Sequence, residues 1–186
     1  MIQSMKTVLK LVLIINLFVL AACKNQGPSA NNSEVKPPVT DIQTAAFLGD
    51  IKSINQHIMA GTDLNVKDEY GSCPLMIAIT FNKTDVAESL IKAGANLNLT
   101  NNQGATPLNT AAFLCRKEIV ALLLEQGADK SIPDNYGSTP LQSVSAPFEA
   151  VKPIYDELNK SLGSLGFKLD YEYIQATRPL IADMLK

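Results

Sequence analysis

Three short stretches of this chain stand 33 residues apart. Gly71-Ser72-Cys73-Pro74-Leu75 returns as Gly104-Ala105-Thr106-Pro107-Leu108 and again as Gly137-Ser138-Thr139-Pro140-Leu141. A second marker keeps the same step: Ala60-Gly61-Thr62-Asp63-Leu64-Asn65, then Ala93-Gly94-Ala95-Asn96-Leu97-Asn98, then Gln126-Gly127-Ala128-Asp129-Lys130-Ser131. Two independent markers on one period indicate a repeat architecture. The residue types explain themselves. Glycine suits turn positions at positive φ. Pro74, Pro107 and Pro140 suit the first turn of a helix, where a missing N–H has no intrahelical partner to lose. Ala111-Ala112 lets neighbouring helices approach closely, and Ile119, Val120, Leu122, Leu123 and Leu124 supply an apolar second helix. One copy cannot bury its apolar face alone, so the copies must stack.

This pattern resembles the ankyrin repeat over roughly residues 41–161. The resemblance implies an all-α repeat solenoid of helix-turn-helix units, about four copies at 41–67, 68–100, 101–133 and 134–161, closed by a C-terminal helical cap at 162–186. The family's histidine after Pro-Leu is replaced by Met76, Asn109 and Gln142, and Cys73 stands in place of a threonine. The threonine–histidine hydrogen bonding that knits such repeats is therefore expected to be weakened. In the first copy, Asp41 is placed to cap a helix over Ile42–Leu48, with a second helix over Ile51–Met59. The fourth copy drifts: Val144-Ser145 replaces the alanine pair, and Pro147 and Pro153 replace helix-compatible positions. The expected elements there are a helix near 140–145, an irregular stretch, and a helix near 153–161 with Pro153 in its first turn. Residues Ser161 to Gly166 end that helix. Tyr171–Lys186 forms a final helical segment, interrupted near Pro179, that covers the last repeat.

Residues 1–22 read as export rather than fold. Lys6 and Lys10 precede an apolar run from Leu11 to Leu20, broken only by Asn16. Ten helical residues rise about 15 Å, half of a bilayer core of about 30 Å, which is the pattern of a secretory signal. Leu20-Ala21-Ala22-Cys23 resembles the cleavage box of bacterial lipoproteins, whose cysteine receives the lipid and becomes the mature N-terminus. The alternative is an ordinary signal with an incidental cysteine. With lipidation at Cys23 by diacylglycerol and palmitate, residues 23–40 become a tether; the seventeen after Cys23 reach at most about 60 Å. Lys24, where an aspartate would resemble an inner-membrane retention signal, points in a Gram-negative host to the outer membrane facing the periplasm.

Composition excludes several functions. Removing residues 1–22 takes the net charge from −2 to −4, which disfavours nucleic acid as a partner. His57 is the only histidine, expected as a tolerated polar residue on the outer face of a terminal repeat. Neither a metal-ligand set nor a phosphate-binding loop nor any cofactor motif is present, and the chain reads as a non-enzyme. Cys73 falls at the start of a first helix and Cys115 at the end of one, about 13 Å apart along the axis. A disulfide needs Cα atoms within about 7 Å, so both are expected as free, buried thiols.

What remains is a surface. The resemblance implies a concave protein-binding face made by helix ends and turn tips. The helix-end residues are Phe47, Leu48, Thr80, Phe81, Phe113 and Leu114, with Phe81 and Phe113 as expected anchors. The tip residues are Lys67, Glu69, Tyr70, Asn102, Gln103, Asn135 and Tyr136. The alternative is that these side chains pack under the next repeat or beneath the tether. Similar tethered ankyrin lipoproteins include immunity proteins that block antibacterial toxins, notably phospholipases, in the periplasm. A scaffold or stress-protection factor for an envelope enzyme, and a structural envelope protein, are the other readings. An adjacent gene for a lipase-like toxin would favour the first, and one for a peroxide-detoxifying enzyme the second.

Overall fold

A computed structural model describes residues 36–186. The predicted signal, Cys23 and most of the tether lie outside these residues. Among the described residues no helix is long and apolar enough to cross a membrane.

The helices come in pairs. The first pair is α1, Ile42–Leu48, and α2, Ile51–Met59. Then come α3, Pro74–Thr80, with α4, Thr84–Lys92, and α5, Pro107–Phe113, with α6, Lys117–Glu125. The chain continues with α7, Pro140–Ser145, α8, Phe148–Leu162, a 3-10 turn at Gly163–Leu165, and α9, Tyr171–Leu185. No strand is present among the described residues. The first helices α1, α3, α5 and α7 stack in one layer, and α2, α4 and α6 stack in a second. The core lies between the layers and is built from small and aliphatic side chains: Ala45, Ala46, Ile54, Leu75, Ala78, Ile79, Leu90, Leu108, Ala111 and Leu123 are fully enclosed. This is the all-α repeat solenoid that the 33-residue period implies.

The helix starts follow from local chemistry. Asp41 and Asp50 accept the Thr44 and Ser53 amides at 2.9 and 3.1 Å and cap α1 and α2. Loss of the family's histidine does not loosen the caps as expected. Thr106 Oγ1 accepts the Asn109 amide at 3.1 Å, while Asn109 Oδ1 accepts the Thr106 amide at 2.9 Å. Thr139 and Gln142 reciprocate in the same way. Buried Asn109 also points its amide nitrogen at Ser138 O, 3.3 Å away, and so reaches the next copy. Among the first helices only α3, in the Cys73/Met76 copy, lacks a side-chain cap.

The fourth copy departs most from expectation. The residue four beyond the N-cap and the residue seven beyond it are buried in each second helix: Ile54 and His57 in α2, Ala87 and Leu90 in α4, Val120 and Leu123 in α6. The same two positions after Asp170 are Ile174 and Thr177, both buried. Helix α9 packs on α6 and α7, as α6 packs on α4 and α5. Thus α9 is the second helix of the fourth copy, and residues 147–170 are inserted within that copy as a strap. The segment expected near 153–161 belongs to α8 in the strap. Neither proline interrupts its helix. Pro153 lies inside α8 and Pro179 inside α9. Both are exposed, as are Glu149 and Gln175 four residues earlier, so water can serve the carbonyls that lose their N–H partner.

Candidate protein-binding edge

Each turn tip is built on one side chain. Asp68 Oδ1 accepts the amides of Tyr70 and Ser72, Asn101 Oδ1 those of Gln103 and Ala105, and Asp134 Oδ1 those of Tyr136 and Ser138, all at 2.7–3.0 Å. These Asx turns fix the tips internally. A ladder then joins them. Asn102 donates its amide N–H to Tyr70 O at 3.0 Å, and Asn135 donates its own to Gln103 O at 2.9 Å. The Asn102 and Asn135 side chains add bonds to Glu69 O and Asn102 O at 2.9 and 3.0 Å. Lys67 Nζ donates to Thr100 O at 2.6 Å. Behind the tips a second ladder runs from the Asn96 amide to Asn65 Oδ1 and from the Asp129 amide to Asn98 Oδ1. The edge is a hydrogen-bonded rail. Along it Glu69, Asn102, Gln103 and Asn135 are exposed, and Tyr70 and Tyr136 stand out at 68% and 81% exposure.

The helix-end row sits elsewhere. It lies at the far ends of the seven-residue first helices, about 10 Å along the axis from the tips. The strap covers much of it. Phe113 packs on Tyr155 with ring centres 4.7 Å apart, and the Tyr155 hydroxyl donates to Phe113 O at 2.7 Å. Phe81 lies edge-on to Phe47 at 4.7 Å and reaches Phe167 at 6.3 Å. Thr80 turns its hydroxyl to Met76 O. Leu114, expected on the surface, is buried. It lines a cleft floored by Leu169 and Ile174, which the strap and α9 bring in. Of the row, Leu48 alone is exposed. Six expected side chains are thus brought to one end of the stack, but the strap, not solvent, meets Phe81, Phe113 and Leu114. Phe148, Tyr155, Phe167 and Tyr171 are the signal that sequence reasoning passed over. In a chain with 6% aromatic residues, four rings within 24 residues mark a segment built to cover something.

Buried polar groups hold the elements together. His57 is buried, not on an outer face: Nε2 lies 2.8 Å from Thr40 O and therefore carries the proton, and Nδ1 accepts from the Thr62 hydroxyl at 3.1 Å. It pins the chain entering α1 to the end of α2. Cys73 and Cys115 are free and buried. Burial pushes the Cys115 thiol up to about 11 and raises that of Cys73, so both stay protonated and poorly nucleophilic at neutral pH. Among the described residues no group of three or more His, Cys, Asp or Glu side chains is placed to hold a metal. Two arginines, half-buried Arg116 and buried Arg178, neutralise helix ends instead of carboxylates. Arg116 donates to Ile79 O and Thr80 O at the end of α3, and Arg178 to Ser143 O and Ala146 O at the end of α7.

No curated protein matches the chain. Residues 42–134, half of the chain, match the family model described as ankyrin repeats in three copies. The period, the paired helices, the Asx-turn tips and this match agree, and the chain belongs to the ankyrin-repeat family, whose stacked copies are protein-binding modules.

Proposed function

We propose that this protein is a non-enzymatic binder held at a bacterial envelope and that it grips its partner with the tip edge. Tyr70 and Tyr136 carry the reading: two large, amphipathic rings exposed on a hydrogen-bonded rail. Rigid tyrosines offer contact area at low entropic cost, and interface energy concentrates in a few such residues. The helix-end row is the weaker candidate, because Phe81 and Phe113 already contact Phe167 and Tyr155. Protein starting at Lys24 is used to capture the native partner from envelope extract, and affinities of variants are compared. Tyr70→Ala and Tyr136→Ala should each lose about 30-fold, or 2 kcal/mol, with unchanged helical circular dichroism. Unchanged affinity in both variants would move the site off the tips.

The tethered setting rests on Leu20-Ala21-Ala22-Cys23 and the polar segment after it. Cells fed a clickable palmitate analogue should label the wild type and spare Cys23→Ser. Equal labelling, or none, sinks the lipid anchor. An anchored binder suits an immunity protein that blocks a phospholipase-type toxin delivered to the periplasm. Co-expression then decides: the chain either rescues cells from a toxin encoded beside it or, failing that, serves an endogenous envelope protein.

A further inference from the structure

The tip ladder has a direction: the later tip donates and the earlier tip accepts. At the two internal junctions an asparagine fills the same receptor. Its amide N–H meets the carbonyl of Tyr70 or Gln103, and its side-chain nitrogen meets the carbonyl of Glu69 or Asn102. The glycine of the earlier tip makes room for it. A Cβ on Gly71 would stand 2.5 Å from Asn102 Oδ1, and one on Gly104 2.5 Å from Asn135 Oδ1. Two carbonyls and a bare Cα are the whole device.

The last tip repeats the device facing outward. Gly137 has φ +78, and a Cβ there would meet nothing within 4 Å. Among the described residues no donor reaches Asn135 O or Tyr136 O. We propose that this end is a subsite for an asparagine-bearing β-turn of the protein partner, continuing the ladder by one rung. The inference rests on the tip-edge reading and narrows it. Asparagine is specified by the chemistry of the two filled receptors. An aspartate side chain has no N–H to offer and would set a carboxylate against the carbonyl oxygen that the asparagine amide meets. A second copy of this chain is a poor occupant. In register with Glu69, Asn102 and Asn135 its first tip holds Lys36, followed by Pro37 and Pro38, so it presents no side-chain amide.

Gly137→Asn tests the subsite, because asparagine tolerates positive φ and would fill the space from within. Isotope-labelled protein starting at Lys24 is titrated with a disulfide-closed peptide carrying an Asp-Asn-Tyr-Gly turn, and with one in which leucine replaces that asparagine. The asparagine peptide should shift the amides of residues 135–138 saturably. The leucine peptide, and the Gly137→Asn protein, should bind at least tenfold more weakly, the loss expected for two hydrogen bonds. Absence of saturable shifts at residues 135–138 overturns the proposal, as does equal binding of both peptides. In the native complex Gly137→Asn should weaken binding about tenfold. If the tyrosine variants weaken that complex and Gly137→Asn does not, the tip edge stands and the subsite falls. If none of the three weakens it, the tip-edge reading falls and with it the subsite's role.

Discussion

Arg178→Met should cost about 3 kcal/mol of stability and release the strap. Arg178 is 4% exposed, and its guanidinium ties α9 to α7 and α8 at once, donating to Ser143 O at 2.9 Å, Ala146 O at 2.7 Å and the Tyr155 hydroxyl at 3.0 Å. Each bond to a charged donor is worth about 1.5–3 kcal/mol. Burying the charge offsets part of that sum. Methionine fills the volume but leaves two carbonyls at the end of α7 without donors. Lysine keeps the charge and loses the fork, so Arg178→Lys should fall between. Urea unfolding measures the loss, and limited proteolysis within 147–170 reports the strap. A methionine variant as stable and as protease-resistant as wild type would show that desolvation cancels the guanidinium's bonds.

Leu108→Ala should be the most damaging aliphatic truncation of the pair Leu108 and Leu141, at about 2–5 kcal/mol. Leu108 is wholly enclosed in α5, which packs on α3, α6 and α7 at once. In a repeat array stability is carried by nearest-neighbour interfaces, so a lesion in a central copy weakens the coupling on both sides. Leu141 occupies the same register position in α7 but is only partly buried at the end of the stack. Thermal melts should order the variants wild type, Leu141→Ala, Leu108→Ala from most to least stable. The reverse order would contradict the packing described.

The repeats were legible in the sequence because their chemistry is local. A proline at the first helical turn and a glycine in the tip place the later copies, and the Asp41 cap places the first, without knowledge of the fold. The strap was not legible because its logic is tertiary. Pro153 and Pro179 look like breaks until one sees that their lost hydrogen bonds face water. Tyr155 looks like any helical aromatic until Phe113 is beneath it. The same gap explains the site residues. Tip residues are exposed by turn geometry, so Tyr70 and Tyr136 could be placed from the pattern alone. Exposure of Phe81, Phe113 and Leu114 depended on what the last forty residues do. His57 shared a register position with buried Leu90 and Leu123, and that alignment, rather than its polarity, was the better guide. Asn109 looks like the loss of a histidine, although its amide donates and accepts as an imidazole does.

The splitting of the fourth copy also bears on how the chain reaches this structure. In the first three copies the two helices of a pair are joined by two or three residues, and each pair can form as soon as it is made. Between α7 and α9 lie 25 residues. Closing that loop costs about 2 kcal/mol more in chain entropy than closing a three-residue turn, at about 0.6 kcal/mol for each doubling of length. The nucleus should therefore form in the copies centred on α3 to α6, with α9 docking late. Until α9 emerges from the ribosome and docks, the groove over α6 and α7 stays open, and a chain shortened before Tyr171 would expose the Leu114 and Val144 surfaces for good.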